Sequence, residues 1–202
     1  MIVLLPRLAR WMSVILAGVL VVFTSSCALS PQTVVVKPDV RVASMPIGRG
    51  RPIAVTTRDQ RRDAAMGERG GLYKSAELTT DERMVQSINQ SVVTVLQSWD
   101  FAAVPASMGK PSMPTFVVEV LGLDYQHPAS TVAGDVTVKC RISVRVEMGA
   151  DFYEGEYTSR RTEQVPVMPT ADINKRLVNE TVSQALQRMF QDSKMQRFLA
   201  AY

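Results

Sequence analysis

Val136-Thr137-Val138-Lys139-Cys140-Arg141-Ile142-Ser143-Val144-Arg145-Val146-Glu147-Met148 alternates apolar and polar residues without a break. A strict period of two places one set on a core and the other in water, so this stretch predicts a long strand of a one-sided sheet. It also puts the Cys140 thiol in the buried set, where cysteine acts as a small apolar residue.

Working outward, Gly149-Ala150-Asp151 reads as a short turn, and Phe152 to Glu163 as the returning partner strand. Tyr153 and Tyr157 share a face of that strand, with Gly155 between them. Upstream, Phe116 to Leu123 is apolar except at Glu119 and Gly122, which predicts a strand covered on both faces. Nearer the start, Thr33 to Val36 and Pro52 to Thr57 are two shorter β-branched runs.

Two amphipathic helices complete the pattern. Met84, Val85, Ile88, Val92, Val95, Leu96 and Trp99 recur at helical spacing behind Thr79-Thr80-Asp81-Glu82, which has the form of a capping box. Ile173, Leu177, Thr181, Ala185 and Met189 define the second helix, with Thr170 as its expected N-cap. Met195, Phe198, Leu199 and Tyr202 form an apolar tail that folds back onto the body. The expected fold is α+β: an antiparallel sheet of about five strands with two helices packed on one face, a two-layer sandwich.

The most unusual composition lies between Arg58 and Gly71, where Arg58, Arg61, Arg62 and Arg69 mix with three acidic residues and three glycines. Arginine recognises carboxylate or phosphate through a planar fork, so the expectation is a loop that meets an anionic partner. The competing reading is a solvated loop with local ion pairs, each worth ~0–1 kcal/mol. Catalytic patterns are poor. Ser107-Met108-Gly109-Lys110 matches S-x-x-K, but the accompanying S-D-N and K-T-G strings are absent from the sequence. The single histidine, His127, precedes Pro128 in a turn-like segment, and no nucleophile with a paired base is recognisable. One histidine and one cysteine beyond Cys27 make a poor metal set, so no cofactor is expected.

The N-terminus carries an address. Arg7 and Arg10 precede an uncharged apolar run from Trp11 to Phe23, followed by Thr24-Ser25-Ser26-Cys27-Ala28. A charged region, a short apolar core and small residues mark an export signal. The cysteine after them resembles the lipobox of bacterial lipoproteins, with Thr24 where leucine is usual. A retained membrane helix would need ~20 apolar residues, and extending the run back to Ile2 takes in Pro6 and two arginines. A plain cleaved signal would need no cysteine. The expected organisation is therefore a signal at 1–26, a lipidated Cys27 with a tether at 27–32, and a single periplasmic α+β domain at 33–202. The formal charge of +4 includes Arg7 and Arg10. Without them it is +2, which gives no electrostatic case for nucleic acid as a partner.

Several of these strings together are similar to the YajG-like family of bacterial lipoproteins. They are the lipobox, Val34-Val35-Val36, the strand into Arg58-Asp59-Gln60-Arg61 with Gly67 downstream, Thr80-Asp81, the long alternating strand, and Phe198-Leu199. The resemblance implies an envelope lipoprotein without an established biochemical activity. Ala28, where an aspartate would favour the inner membrane, implies the outer membrane, with the domain facing the periplasm. The membrane itself is then the first partner, through acyl chains on Cys27. The expected function is non-catalytic binding of another envelope component, an envelope protein or the cell wall. Its alternatives are a cell-wall-associated enzyme and an accessory lipoprotein of a transport or assembly machine. Cys27→Ser is expected to abolish lipidation and release the protein from the membrane fraction. Equal retention of the variant after a high-salt wash would instead favour an uncleaved helix.

Overall fold

The computed structural model describes residues 30–70, 75–110, 112–127, 134–165 and 169–201. The signal and Cys27 lie outside the described residues, as does Gly71. Pro31–Tyr202 forms one compact unit. Its elements run β1 (Gln32–Val34), β2 (Pro52–Asp59), β3 (Ala65–Gly70), β4 (Ser75–Thr80), α1 (Met84–Ser98), β5 (Ala102–Pro105), β6 (Thr115–Gln126), β7 (Gly134–Met148), β8 (Asp151–Val165), α2 (Ala171–Phe190) and α3 (Ser193–Ala201).

The long alternating stretch is β7, at the heart of a five-stranded sheet of order β5-β2-β6-β7-β8. Val136, Val138, Cys140, Ile142, Val144, Val146 and Met148 are all buried on its inner face. Cys140 has no solvent exposure, and burial pushes its thiol up to about 12 against the charge of Arg61. Gly149, at φ +66°, takes the first position of the two-residue turn into β8, as turns matching strand twist require.

Both long helices cover this inner face. Trp99 follows α1, Phe190 ends α2, and their rings meet edge-on at 5.3 Å. Phe190 also stacks on Phe116 of β6 at 6.0 Å. Thr170 caps α2 as expected, accepting a hydrogen bond from the Ile173 amide. The tail forms a third helix, α3, held by Asp192. Its carboxylate accepts from the Tyr153 and Tyr157 hydroxyls at 2.9 Å each and from the Lys194 amide at 2.7 Å. Burial would push the Asp192 carboxyl up, but these hydrogen bonds outweigh it and hold the group below the usual carboxylate range.

Several expectations need correction. The sheet is mixed, because β2 runs parallel to both β5 and β6. Parallel neighbours need a long crossover, and α1 supplies it between β2 and β5; apolar periodicity carries no strand direction. The first apolar run does not join this sheet: β1 belongs to a second, three-stranded sheet of order β1-β4-β3. The helices number three among the described residues, not two. The capping box does not form, since Thr79 and Thr80 end β4 and α1 starts after Arg83 with no side-chain cap.

Phe116 to Leu123 is not covered evenly on both faces. A bulge between Val120 and Gly122 shifts the register, so the buried set passes from Phe116, Val118 and Val120 to Leu123 and Tyr125. One extra residue inverts strand parity, which is how a one-sided strand can read as apolar throughout.

The chain between β1 and β2 is a strap laid across the helix layer. The Lys37 amide donates to Asn179 Oδ1 at 2.5 Å and the Asp39 amide to Ser183 Oγ at 2.9 Å, both on α2. On the α1 side, Ser91 Oγ donates to the Pro38 carbonyl at 3.2 Å and Trp99 Nε1 to the Ala43 carbonyl at 2.8 Å.

The two sheets come into tight contact at Gly67 of β3. Its φ is +149°, and a Cβ built there would lie 2.2 Å from the Tyr125 carbonyl oxygen of β6. Gly67→Ala is expected to cost about 2 kcal/mol or more. Gly50, at φ +71° with open space around it, is the control, at about 1–2 kcal/mol for backbone conformation alone. Equal shifts of the two variants in thermal melting would contradict the close approach.

Candidate functional site

The outer face of the five-stranded sheet carries the polar half of the alternation. Where β2, β6, β7 and β8 pass side by side, a concave groove of about 710 Å³ opens to solvent. Its charged lining is Arg58 from β2, Glu119 from β6, Arg145 and Glu147 from β7, and Glu154 and Glu156 from β8. Period two delivers these side chains to one face, and the packed core behind the sheet fixes their spacing.

The groups are largely paired with one another. Arg145 Nε lies 2.6 Å from Glu147 Oε1, and its Nη1 reaches Glu154. Its guanidinium also sits 4.7 Å from the centre of the Phe152 ring. The hydrogen bond to Glu147, then that to Glu154, raise the Arg145 pKa above its ordinary value. Arg58 faces Glu119 at 3.7 Å, and Arg141 faces Glu156 at 3.8 Å. Four carboxylates against two arginines leave the groove lining acidic.

The arginine-rich segment is mostly strand rather than loop, since Arg58 lies in β2 and Arg69 in β3. The structure divides its four arginines. Arg61 is a pin, its side chain only 6% exposed. It forks onto Asp59 at 2.9 and 2.8 Å and donates to Thr80 Oγ1 at 2.8 Å, tying β2 to β4. Arg69 is buried, with its charge acting on the Tyr125 hydroxyl, which burial nevertheless pushes up to about 12. Arg58 and Arg62 are exposed. The four do not converge on one point, and only Arg58 reaches the groove.

Elsewhere, Ser107 and Lys110 are both exposed around a single 3-10 turn at Ala106–Met108. His127 directly follows β6, and no hydrogen bond of its Nδ1 is formed among the described residues. No group of three or more His, Cys, Asp or Glu suited to a metal ion occurs among them. No helix among them is long and apolar enough to cross a membrane. Sequence reading identified the water-facing residues of β7 but passed over Glu154 and Glu156. Folding β8 back on β7 across the two-residue Gly149-Ala150 turn, which sets Arg145 opposite Glu154 and Ser143 opposite Glu156, would have found them.

A family model described as an uncharacterized lipoprotein, the YajG-like lipoproteins, matches residues 38–200. The chain belongs to this family. The match spans both sheets from β2 onward, all three helices and the outer-face groove. No curated protein matches the sequence. Among solved structures, a DUF330-family protein from Xanthomonas campestris is 11% identical, with 80% of this chain and 90% of that one covered and a TM-score of 0.49. A lipoprotein from Neisseria meningitidis is 10% identical, with 70% and 99% covered and a TM-score of 0.36. Neither likeness bears on activity.

Removing one partner of a fully buried ion pair costs about 3–5 kcal/mol. Asp59 stays partly in water, so Arg61→Ala is expected to cost nearer 2 kcal/mol, with Arg61→Lys recovering part because lysine cannot fork. Arg62→Ala should stay within about 0.5 kcal/mol. Denaturant unfolding of the three variants checks this; equal effects at 61 and 62 would sink the division.

Proposed function

We propose that this family member is a lipid-anchored, non-catalytic lipoprotein that binds another envelope component through the outer face of its five-stranded sheet. The observation that carries this reading is the groove across β2, β6, β7 and β8, where fixed charges stand in water on a rigid, core-backed surface. The hydroxyls that meet carboxylates there, Ser143 to Glu119 and Thr115 to Glu147, do so only at 3.5 Å, a weak geometry for an activated nucleophile. The anchor is Cys27, and Ala28 supports an outer-membrane address facing the periplasm.

Arg58 and Arg62 are the two exposed arginines of the sequence-defined segment, placed to meet an anionic group on a partner. Arg58, on the groove wall, would engage it together with polar contacts from Thr56 and Ser143. Proximity labelling from the anchored protein in intact cells tests the reading, comparing wild type with Arg58→Ser/Arg62→Ser and with Glu154→Lys/Glu156→Lys. Unchanged melting with selective loss of one labelled envelope component is the expected outcome. Identical labelling by all three proteins would remove the outer face from the function.

A further inference from the structure

β8 is the last strand of the five-stranded sheet and spans 15 residues, Asp151–Val165. Its outer edge has no strand partner among the described residues. Long free edges are hazards that proteins blunt with proline, charged side chains such as lysine, bulges or shortness. β8 contains neither proline nor lysine, and its register against β7 is unbroken from Gly134↔Val165 to Met148↔Asp151. Its charged side chains are the blunting device it does carry, so their order decides what can pair with it.

The backbone groups facing out can be assigned. A two-residue turn closes on a hydrogen-bonded pair, here Met148 and Asp151. The odd-numbered residues of β8 therefore bond to β7, and the even-numbered ones direct N–H and C=O outward. Consistently, the Thr158 carbonyl accepts from Arg188 Nη1, which reaches around from α2. The same even-numbered residues carry the charges of the outer face, Glu154, Glu156 and Arg160. The inner-side charges are already matched, Arg161 to Glu180 at 3.1 Å and Glu163 to Arg176 at 2.6 Å.

Charge order along the edge selects the occupant. Acidic residues come first, at 154 and 156, and Arg160 follows. Arg160 stands directly opposite Lys139 of β7, a like-charge pair that is unfavourable in a sheet. Arg160 makes no ion pair among the described residues, while Glu156 meets only Arg141, at 3.8 Å. We infer that β8 pairs antiparallel with β8 of a second copy, on a two-fold axis through Thr158. That register sets Glu156 of each copy opposite Arg160 of the other, and Glu154 opposite Thr162. A parallel pairing would instead set like charges together. The two sheets become one of ten strands, and the grooves lined by Glu154 and Glu156 lie side by side across the axis. Arg188 must release the Thr158 carbonyl for this pairing to form.

A residue on the axis faces itself. In a hydrogen-bonded antiparallel pair the two Cα atoms are about 5.5 Å apart, within the range a disulfide bridges. Thr158→Cys in the full-length chain, in the envelope of intact cells, is expected to give a disulfide-linked dimer, whereas Thr162→Cys, which does not face itself, is not. Cys140 is buried and does not compete. Glu156→Arg should reduce Thr158→Cys crosslinking about tenfold by placing arginines opposite each other, and adding Arg160→Glu should restore it. Arg188→Ala, by freeing the Thr158 carbonyl, should raise it. Equal crosslinking at 158 and 162, or indifference to Glu156→Arg, overturns the proposal. So does a monomer in sedimentation equilibrium of the detergent-solubilised protein without engineered cysteines, a reading that does not depend on the variants folding.

Discussion

The contact of Phe116, Trp99 and Phe190 joins three elements that the chain could otherwise have arranged in many ways. Phe116 opens the buried face of β6, Trp99 ends the first long helix, and Phe190 ends the second. All three side chains are fully buried. With both helix ends fixed on one strand, α1 covers the β2–β5 half of the sheet and α2 the β7–β8 half. Among the described residues no helix is left to cover the opposite face. The exposed charged surface is thus a consequence of where three rings meet. Each ring buries on the order of 150–250 Å², so the arrangement rests on burial rather than on the surface ion pairs.

How much of this could be read from the sequence depended on whether a local pattern determined the outcome. In β7 it did, because a period of two sustained over 13 positions has one structural meaning. In α2 it did, because a threonine ahead of an apolar helical repeat can accept from an orphan amide of the first turn, here that of Ile173. The pattern failed where a distant contact decided. β3 reads as Ala65-Met66-Gly67-Glu68-Arg69-Gly70, a composition that is poor for strands. It becomes one because Gly67 can come against the Tyr125 carbonyl and Met66 can join the core. The bulge in β6 is likewise invisible locally, since Leu121 is as apolar as its neighbours and only the register with β7 shows it to be the extra residue.

The arginines show the same limit at the level of side chains. Composition marked the segment from Arg58 to Gly71 as unusual, but composition cannot separate a guanidinium that faces water from one that closes a gap between sheets. Asp59, two residues before Arg61, reads equally well as a solvated neighbour. It is the second sheet, arriving with Thr80, that shuts water away from Arg61 and turns a surface pair into a pin. For Arg58 no such cover arrives, and its side chain stays 60% exposed beside Glu119. The outer-face carboxylates were legible in principle, because they obey the same period that identified β7.

The strap bears on how an anchored domain of this kind can work. If Cys27 carries the lipid, four residues, and so five Cα–Cα steps, separate it from Gln32, the first residue of β1. Fully extended, they reach at most about 18 Å. β1 is followed at once by the strap, whose amides and carbonyls are bonded to both long helices. Asn174, buried between them, donates to Gln32 Oε1 at 2.7 Å and accepts from the Tyr125 hydroxyl at 2.9 Å. Force or displacement at the tether therefore enters the helix layer and β6 together, not a loose terminal arm. With Cys27 lipidated, as proposed, so short a connection would keep the domain in the zone beside the bilayer. A second copy anchored in the same plane would then meet a β8 edge at a far higher effective concentration than in free solution.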